Sequence, residues 1–108
     1  MSWVRPERPG DRLAAELAVR RWTQTDFAEI IGRPLQMVNE VINGKKEITR
    51  ETAAQIGAAL QTGASYWLEI QDEYLLWELL GKEPVRLKLN EIRQRALTRG
   101  VSDGQRKE

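Results

Sequence analysis

The 108-residue sequence contains no cysteine and no histidine. Without cysteine there is neither a disulfide framework nor a thiolate metal site. With both residue types missing, a zinc site or a histidine-centred dyad or triad cannot be assembled, which excludes most hydrolase chemistry. Long apolar runs are missing too. No segment approaches the roughly 20 apolar residues a membrane-spanning helix needs, and the opening "MSWVRPERPG" lacks the apolar stretch of a signal peptide. The expectation is a cytoplasmic protein, not membrane-bound, with no enzymatic activity and no cofactor or metal.

What is present suits one modest globular domain. Hydrophobic residues make up 41% of the chain and charged residues 31%, enough for a single core at this length. A net charge of +1 says little about partners, but its distribution is uneven. Between Ser65 and Gly81 lie Glu69, Asp72, Glu73 and Glu78 with no basic residue. Between Arg86 and Arg99 lie Arg86, Lys88, Arg93, Arg95 and Arg99 against Glu91 alone. Segregated charge of this kind either offers a basic face to phosphate and an acidic face elsewhere, or is simply solvated.

Gly, Pro and Thr divide the chain into short helices. Asp11 is expected to cap a helix running to about Arg21, with Leu13 and Leu17 beside Ala14 and Ala18. Thr23 caps "QTDFAEII", which stops at Gly32. A third helix starts near Pro34 or Leu35 and stops at Asn43-Gly44. Thr49 caps "RETAAQIGAAL", and Ser65 is expected to cap the longer "YWLEIQDEYLLWELL", closed by Gly81. "VRLKL" alternates like a strand through Val85, Leu87 and Leu89. Yet Val85, Leu89, Ile92 and Ala96 fall on one helical stripe, and the helix is preferred. The tail from Gly100 to Glu108 reads as flexible. Five or six short helices with brief connections imply an all-α bundle.

Residues 24–43 carry the chemistry. Two helices meet at "GRP" with Phe27, Ile31, Val38 and Val41 around the corner, small Ala28 where they approach, and Gly32 free to take positive φ. That spacing is the pattern of a helix-turn-helix; a generic helical hairpin does not require Ala and Gly there. On the third helix Leu35, Val38, Val41 and Ile42 cluster on one side and are expected in the core. Gln36, Asn39, Glu40 and Asn43 form a line at i, i+3, i+4 and i+7 on the other. Amides there suit base reading, because each offers a donor and an acceptor on one flat group. Met37, beside that line, either contacts a thymine methyl or packs at the edge of the core. Glu40 must accept from a cytosine amino group or orient a neighbouring Arg or Asn. Gln24 at the start of the second helix, Arg33 in the turn, and Asn43, Lys45 and Lys46 after the third helix are candidate phosphate contacts.

From about Arg8 to Trp77 the chain resembles XRE-type helix-turn-helix proteins, and specifically the HigA antitoxin family. The resemblance rests on "RPGDRLAAEL", "TQTDFAEIIG", "VNEVINGKKEITRETAAQIGAAL" and, most specifically, "ASYWLEIQDEYLLW". It implies a lambda-repressor-like (XRE/Cro-type) all-α domain of five to six helices with a C-terminal helical extension. It further implies a homodimer that binds double-stranded operator DNA, represses its own operon and neutralises a RelE/HigB-like, mRNA-cleaving toxin. The corresponding division is an arm at 1–8, the helix-turn-helix domain at 9–81, a helical dimerisation segment at 82–99 and the tail at 100–108. Two positions depart from the family pattern: Arg33 stands where an apolar residue is expected, and Pro34 where Ser or Thr caps the recognition helix.

The aromatic-rich fifth helix holds more apolar surface than one face of a monomer's helix can bury. Tyr66, Trp67, Ile70, Tyr74 and Trp77, together with Leu89 and Ile92, are therefore expected at a two-fold dimer contact. Such a dimer sets two recognition helices about 34–36 Å apart, one turn of DNA. For a basic toxin, the candidate surface is Trp3 and the acidic residues of the fifth helix. The competing reading is a stand-alone XRE-family repressor without a toxin. A metallopeptidase fusion fails on the absent histidine, and a purely structural adaptor would lack salt-dependent DNA affinity.

Overall fold

The computed structural model describes residues 4–99. The order is α1 (Pro9–Arg20), α2 (Gln24–Ile31), α3 (Leu35–Ile42), α4 (Arg50–Leu60), α5 (Ala64–Leu80) and α6 (Glu83–Arg99), with no strand among the described residues. Residues 85–90 are helical, so the i, i+4, i+7 stripe outweighed the strand-like alternation. The tail 100–108 and Trp3 lie outside the described residues. No helix among those described is long and apolar enough to cross a membrane.

Helix ends follow local chemistry. Thr23 and Asp26 form a reciprocal capping box at the start of α2: the Thr23 Oγ1 accepts the Asp26 N–H at 3.0 Å and the Asp26 carboxylate accepts the Thr23 N–H at 2.8 Å. Thr49 caps α4 by accepting the Thr52 N–H at 3.1 Å. At the far end of α3, Gly44 takes φ 76°, and the N–H groups of Gly44 and Lys45 donate to the carbonyls of Val41 and Glu40. Two starts differ from expectation. α1 begins at Pro9, with Arg8 at the cap position and Asp11 inside the first turn. Proline lacks an N–H that would need capping and its φ already suits a helix, so the helix starts before the acid. Likewise α5 begins at Ala64, which places Ser65 inside the helix.

The chain divides into two compact units, Met1–Leu75 and Leu76–Glu108. The first contains the core: Leu13 and Leu17 of α1, Phe27 and Ala28 of α2, Met37, Val38 and Val41 of α3, Ile48, then Ala53, Ile56 and Leu60 of α4, and Trp67 of α5. Trp22 stacks on Phe27 with ring centroids 6.4 Å apart, and the Trp67 indole N–H donates to the Thr62 hydroxyl at 2.8 Å, so its one polar atom is satisfied in the interior. In the second unit, Arg86 donates to the carbonyls of Leu80 and Gly81, closing the end of α5. Leu76, Leu79, Leu87, Ile92 and Leu97 of that unit are exposed.

One contact sets how α1 crosses α3. Gly10 lies directly against the backbone carbonyl of Ile42, at a separation that leaves no room for a Cβ. Intrinsic propensity favours Ala over Gly in a helix by about 1 kcal/mol. Gly10→Ala is nevertheless expected to destabilise the fold by roughly 1–3 kcal/mol, as overpacking against rigid backbone does. Urea unfolding measures it, and a more stable variant would mean that the two helices can slide apart freely.

Candidate nucleic-acid interface

The buried stripe of α3 consists of Met37, Val38 and Val41, with Ile42 packed at its edge. At 100° per residue, the position opposite that stripe is occupied by Gln36 and Asn43, flanked by Asn39 and Glu40. Gln36, Asn39 and Asn43 are exposed and Glu40 is half-buried. The polar line read from the sequence therefore lies on one accessible face. Of two neighbours, Met37 takes the second of its two expected alternatives and Leu35 departs from expectation. Met37 is only 7% exposed and belongs to the core, so it does not reach a thymine methyl, while Leu35, expected in the core, is 47% exposed. Leu35 opens the helix at the turn and lies about 90° from the centre of the buried stripe. The longer, unbranched Met37 bends back into the interior.

The polar groups on this face are joined to one another. The Asn43 amide donates to the Asn39 Oδ1 at 3.1 Å, and the Asn39 amide donates to the Gln24 Oε1 at 3.2 Å. Gln36 donates to the Glu40 carboxylate at 3.2 Å. This answers what Glu40 does in the free protein: it holds an amide on its own helix, and the partner is Gln36 rather than an Arg or Asn. Each amide uses part of its capacity in this chain. Asn39 and Gln36 each retain one N–H and room on the carbonyl oxygen, the pair of groups a bidentate contact to adenine uses. Gln24 retains both amino protons at the N-terminus of α2, where the first backbone N–H groups also point outward.

Arg33 departs from its expected role. Its Nη1 donates to the Gln55 Oε1 at 2.8 Å and lies 3.5 Å from the buried Thr52 hydroxyl, so the guanidinium is drawn onto α4 instead of standing free at the turn. Pro34 precedes α3 at φ −62° and ψ 144° and makes no side-chain cap. Lys45 and Lys46 are exposed in the loop after α3. Sequence reasoning passed over two residues at that loop, Arg8 and Gln71. A legible signal existed for Gln71: a lone amide one helical turn after Trp67, on the inward side of an apolar helix. Arg8 carried none.

No family model matches the chain, and no curated protein does. Solved structures do. An antidote protein of a plasmid maintenance system from Nostoc punctiforme is 35% identical, with a TM-score of 0.70 over 87% of this chain and 99% of its own. An addiction-module antidote protein of the HigA family from Coxiella burnetii is 29% identical, with a TM-score of 0.72 over 79% of this chain and 94% of its own. A Pseudomonas aeruginosa protein solved in complex with its operator DNA is 27% identical, with a TM-score of 0.64 over 68% of this chain and 80% of its own. The chain belongs to the HigA-type antitoxins.

Within this HigA-type fold, the aromatic helix splits between interior and surface. Trp67, expected at a dimer contact, is 0% exposed and fully used by the monomer's core. It faces inward because α5 starts at the turn that supplies its hydrogen-bond partner Thr62. Ile70 packs against the same core and Tyr74 is half-buried beneath Arg8. Tyr66 is at the surface edge-on to Trp67, and its hydrogen bond to Arg12 is the main reason that guanidinium is held above its ordinary pKa. In the second unit Trp77 and Leu89 are half-buried and Ile92 is exposed. The most exposed large apolar residues there are Leu97, Leu87 and Leu76.

The placement of Arg33 is testable. Arg33→Ala is expected to lower the unfolding free energy by about 1–2 kcal/mol through its lost hydrogen bonds, and to leave the salt slope of DNA affinity unchanged. A slope flatter by about one unit would return Arg33 to the phosphate footprint.

Proposed function

We propose that this chain is a cytoplasmic, non-enzymatic antitoxin. It binds double-stranded operator DNA as a homodimer, represses its own operon and neutralises a RelE/HigB-like mRNA-cleaving toxin. The observation that carries the reading is the joined amide line of Gln24, Asn39 and Asn43, with Gln36 held by Glu40, on the accessible face of α3. A helix that only needed solvation would not require uncharged amides pre-positioned by one another. A helix lying in the major groove does, because base discrimination depends on fixed donors and acceptors. Gln24 at the α2 N-terminus and the lysine loop after α3 flank that line where phosphates pass on either side of a groove. The Pseudomonas aeruginosa relative solved in complex with its operator DNA supports operator DNA as the partner.

Homodimerisation is supported by the exposed Leu76, Leu79, Leu87, Ile92 and Leu97 in the second unit, since apolar surface of this extent marks contact surfaces. Toxin neutralisation is supported by family membership and by the exposed carboxylates Glu69, Asp72 and Glu73 of α5, which suit a basic partner.

Binding to the DNA upstream of the chain's own gene tests the reading. Asn39→Ala or Gln36→Ala is expected to cost roughly 1–3 kcal/mol on that duplex and little on a scrambled one. Equal losses on both would remove the amides as base readers. The toxin arm is tested by co-expression with the product of the adjacent gene. A stable complex that suppresses mRNA cleavage is expected, and failure of the two to associate would leave a stand-alone repressor.

A further inference from the structure

The loop from Asn43 to Thr49, which carries Lys45 and Lys46, is tied to α5 at its far end and has Arg8 packed against its near end. At the far end, one side-chain amide engages both backbone groups of one residue. The Gln71 Oε1 accepts the Ile48 N–H at 2.6 Å, and the Gln71 Nε2 donates to the Ile48 carbonyl at 2.8 Å. The Ile48 side chain is meanwhile buried in the core, so this residue is fixed on three sides. At the near end, Gly44 takes positive φ and the Arg8 guanidinium lies over it, 2.6 Å from where a Cβ would stand. The same guanidinium sits 6.0 Å from the centre of the Tyr74 ring, a cation–π distance. Gln71 and Tyr74 are three residues apart on α5 and so share a face.

We propose that Gln71 is a positioning residue for phosphate recognition. Together with the Arg8–Tyr74 pair, it sets the backbone path of residues 44–48 and so the direction in which Lys45 and Lys46 are presented. The proposal rests on the reading of those lysines as phosphate contacts. The physical reason is preorganisation. A lysine on a loose loop loses conformational freedom on each encounter with a phosphate, whereas a loop already clamped at both ends has lost it during folding. The hydrogen bonds of Gln71 fall on backbone, not on the lysine side chains, so they constrain the loop without competing for either positive charge.

The test compares salt slopes of affinity for the upstream duplex. In the otherwise unchanged chain, Lys45→Ala and Lys46→Ala should each flatten the slope by about one unit. Gln71→Met keeps the length and packing of the side chain but removes both hydrogen bonds. It is expected to flatten the slope by itself, and adding Lys46→Ala to it should then change little. The ratio of affinities for the upstream and scrambled duplexes should persist, because the amide line of α3 is untouched. A general loosening of the fold would instead erode that ratio. Tyr74→Leu, which leaves every charge in place, should shift the slope in the same direction by a smaller amount and serves if Gln71→Met does not fold. A full slope in both variants, with lysine substitutions still effective, would overturn the role of Gln71 alone. Lysine substitutions without effect in the unchanged chain would overturn the phosphate footprint itself, and this proposal with it.

Discussion

An eight-residue helix is not stable in water by itself, and both helices of the central motif have eight residues. α3 exists because Met37, Val38 and Val41 are buried against the rest of the first unit, and because Gly10 lets α1 come down onto its last carbonyl. That seating is the constraint from which the site follows. With one side of α3 held in the core, the opposite side is fixed in orientation, and the amides of Gln36, Asn39 and Asn43 are displayed together instead of being scattered around a free helix.

The surface so displayed is organised by short polar links. Asn43, Asn39 and Gln24 form a chain that crosses from α3 to α2, so the relative position of the two helices and the orientation of the amides are one property. Arg33 extends this logic to α4 by donating to Gln55, a polar clip between the turn and that helix. Gln71 extends it to α5 through Ile48. Helices α2, α4 and α5 thus each contribute one side chain that orients α3 or the segments flanking it, and the cost of fixing it is met during folding.

Misplaced expectations cluster where a residue sits at the boundary of two roles. The wheel of α3 placed Leu35 and Ile42 on one side and Met37 near the other, yet these three lie at comparable angles from the centre of the buried stripe. Side-chain length and the position of Leu35 at the helix start decided between them, and periodicity contains neither. Trp67 was expected outward because α5 carries apolar residues on every side, in excess of what one face can bury. With apolar residues spread around the helix there is no single apolar face to read, so only packing could separate Trp67, which is interior, from Leu76 and Leu79, which are exposed. Asp11 and Ser65 were expected as caps from residue type alone, although each helix begins before them.

What the sequence by itself determined is what acts within three or four residues. The Thr23–Asp26 box, the Thr49 cap, the stops at Gly32 and Gly44, the all-helical class and the amide line on α3 each depend on neighbours already adjacent in the chain. What only the tertiary structure decided is which polar side chain meets which. Asn39 and Gln24 are 15 residues apart, Arg33 and Gln55 are 22, and Gln71 and Ile48 are 23. A hydrogen bond forms over a few tenths of an ångström, so such pairs are set by how whole helices pack. That packing arises from the combined fit of the core, in which no single residue type announces the partner it will face.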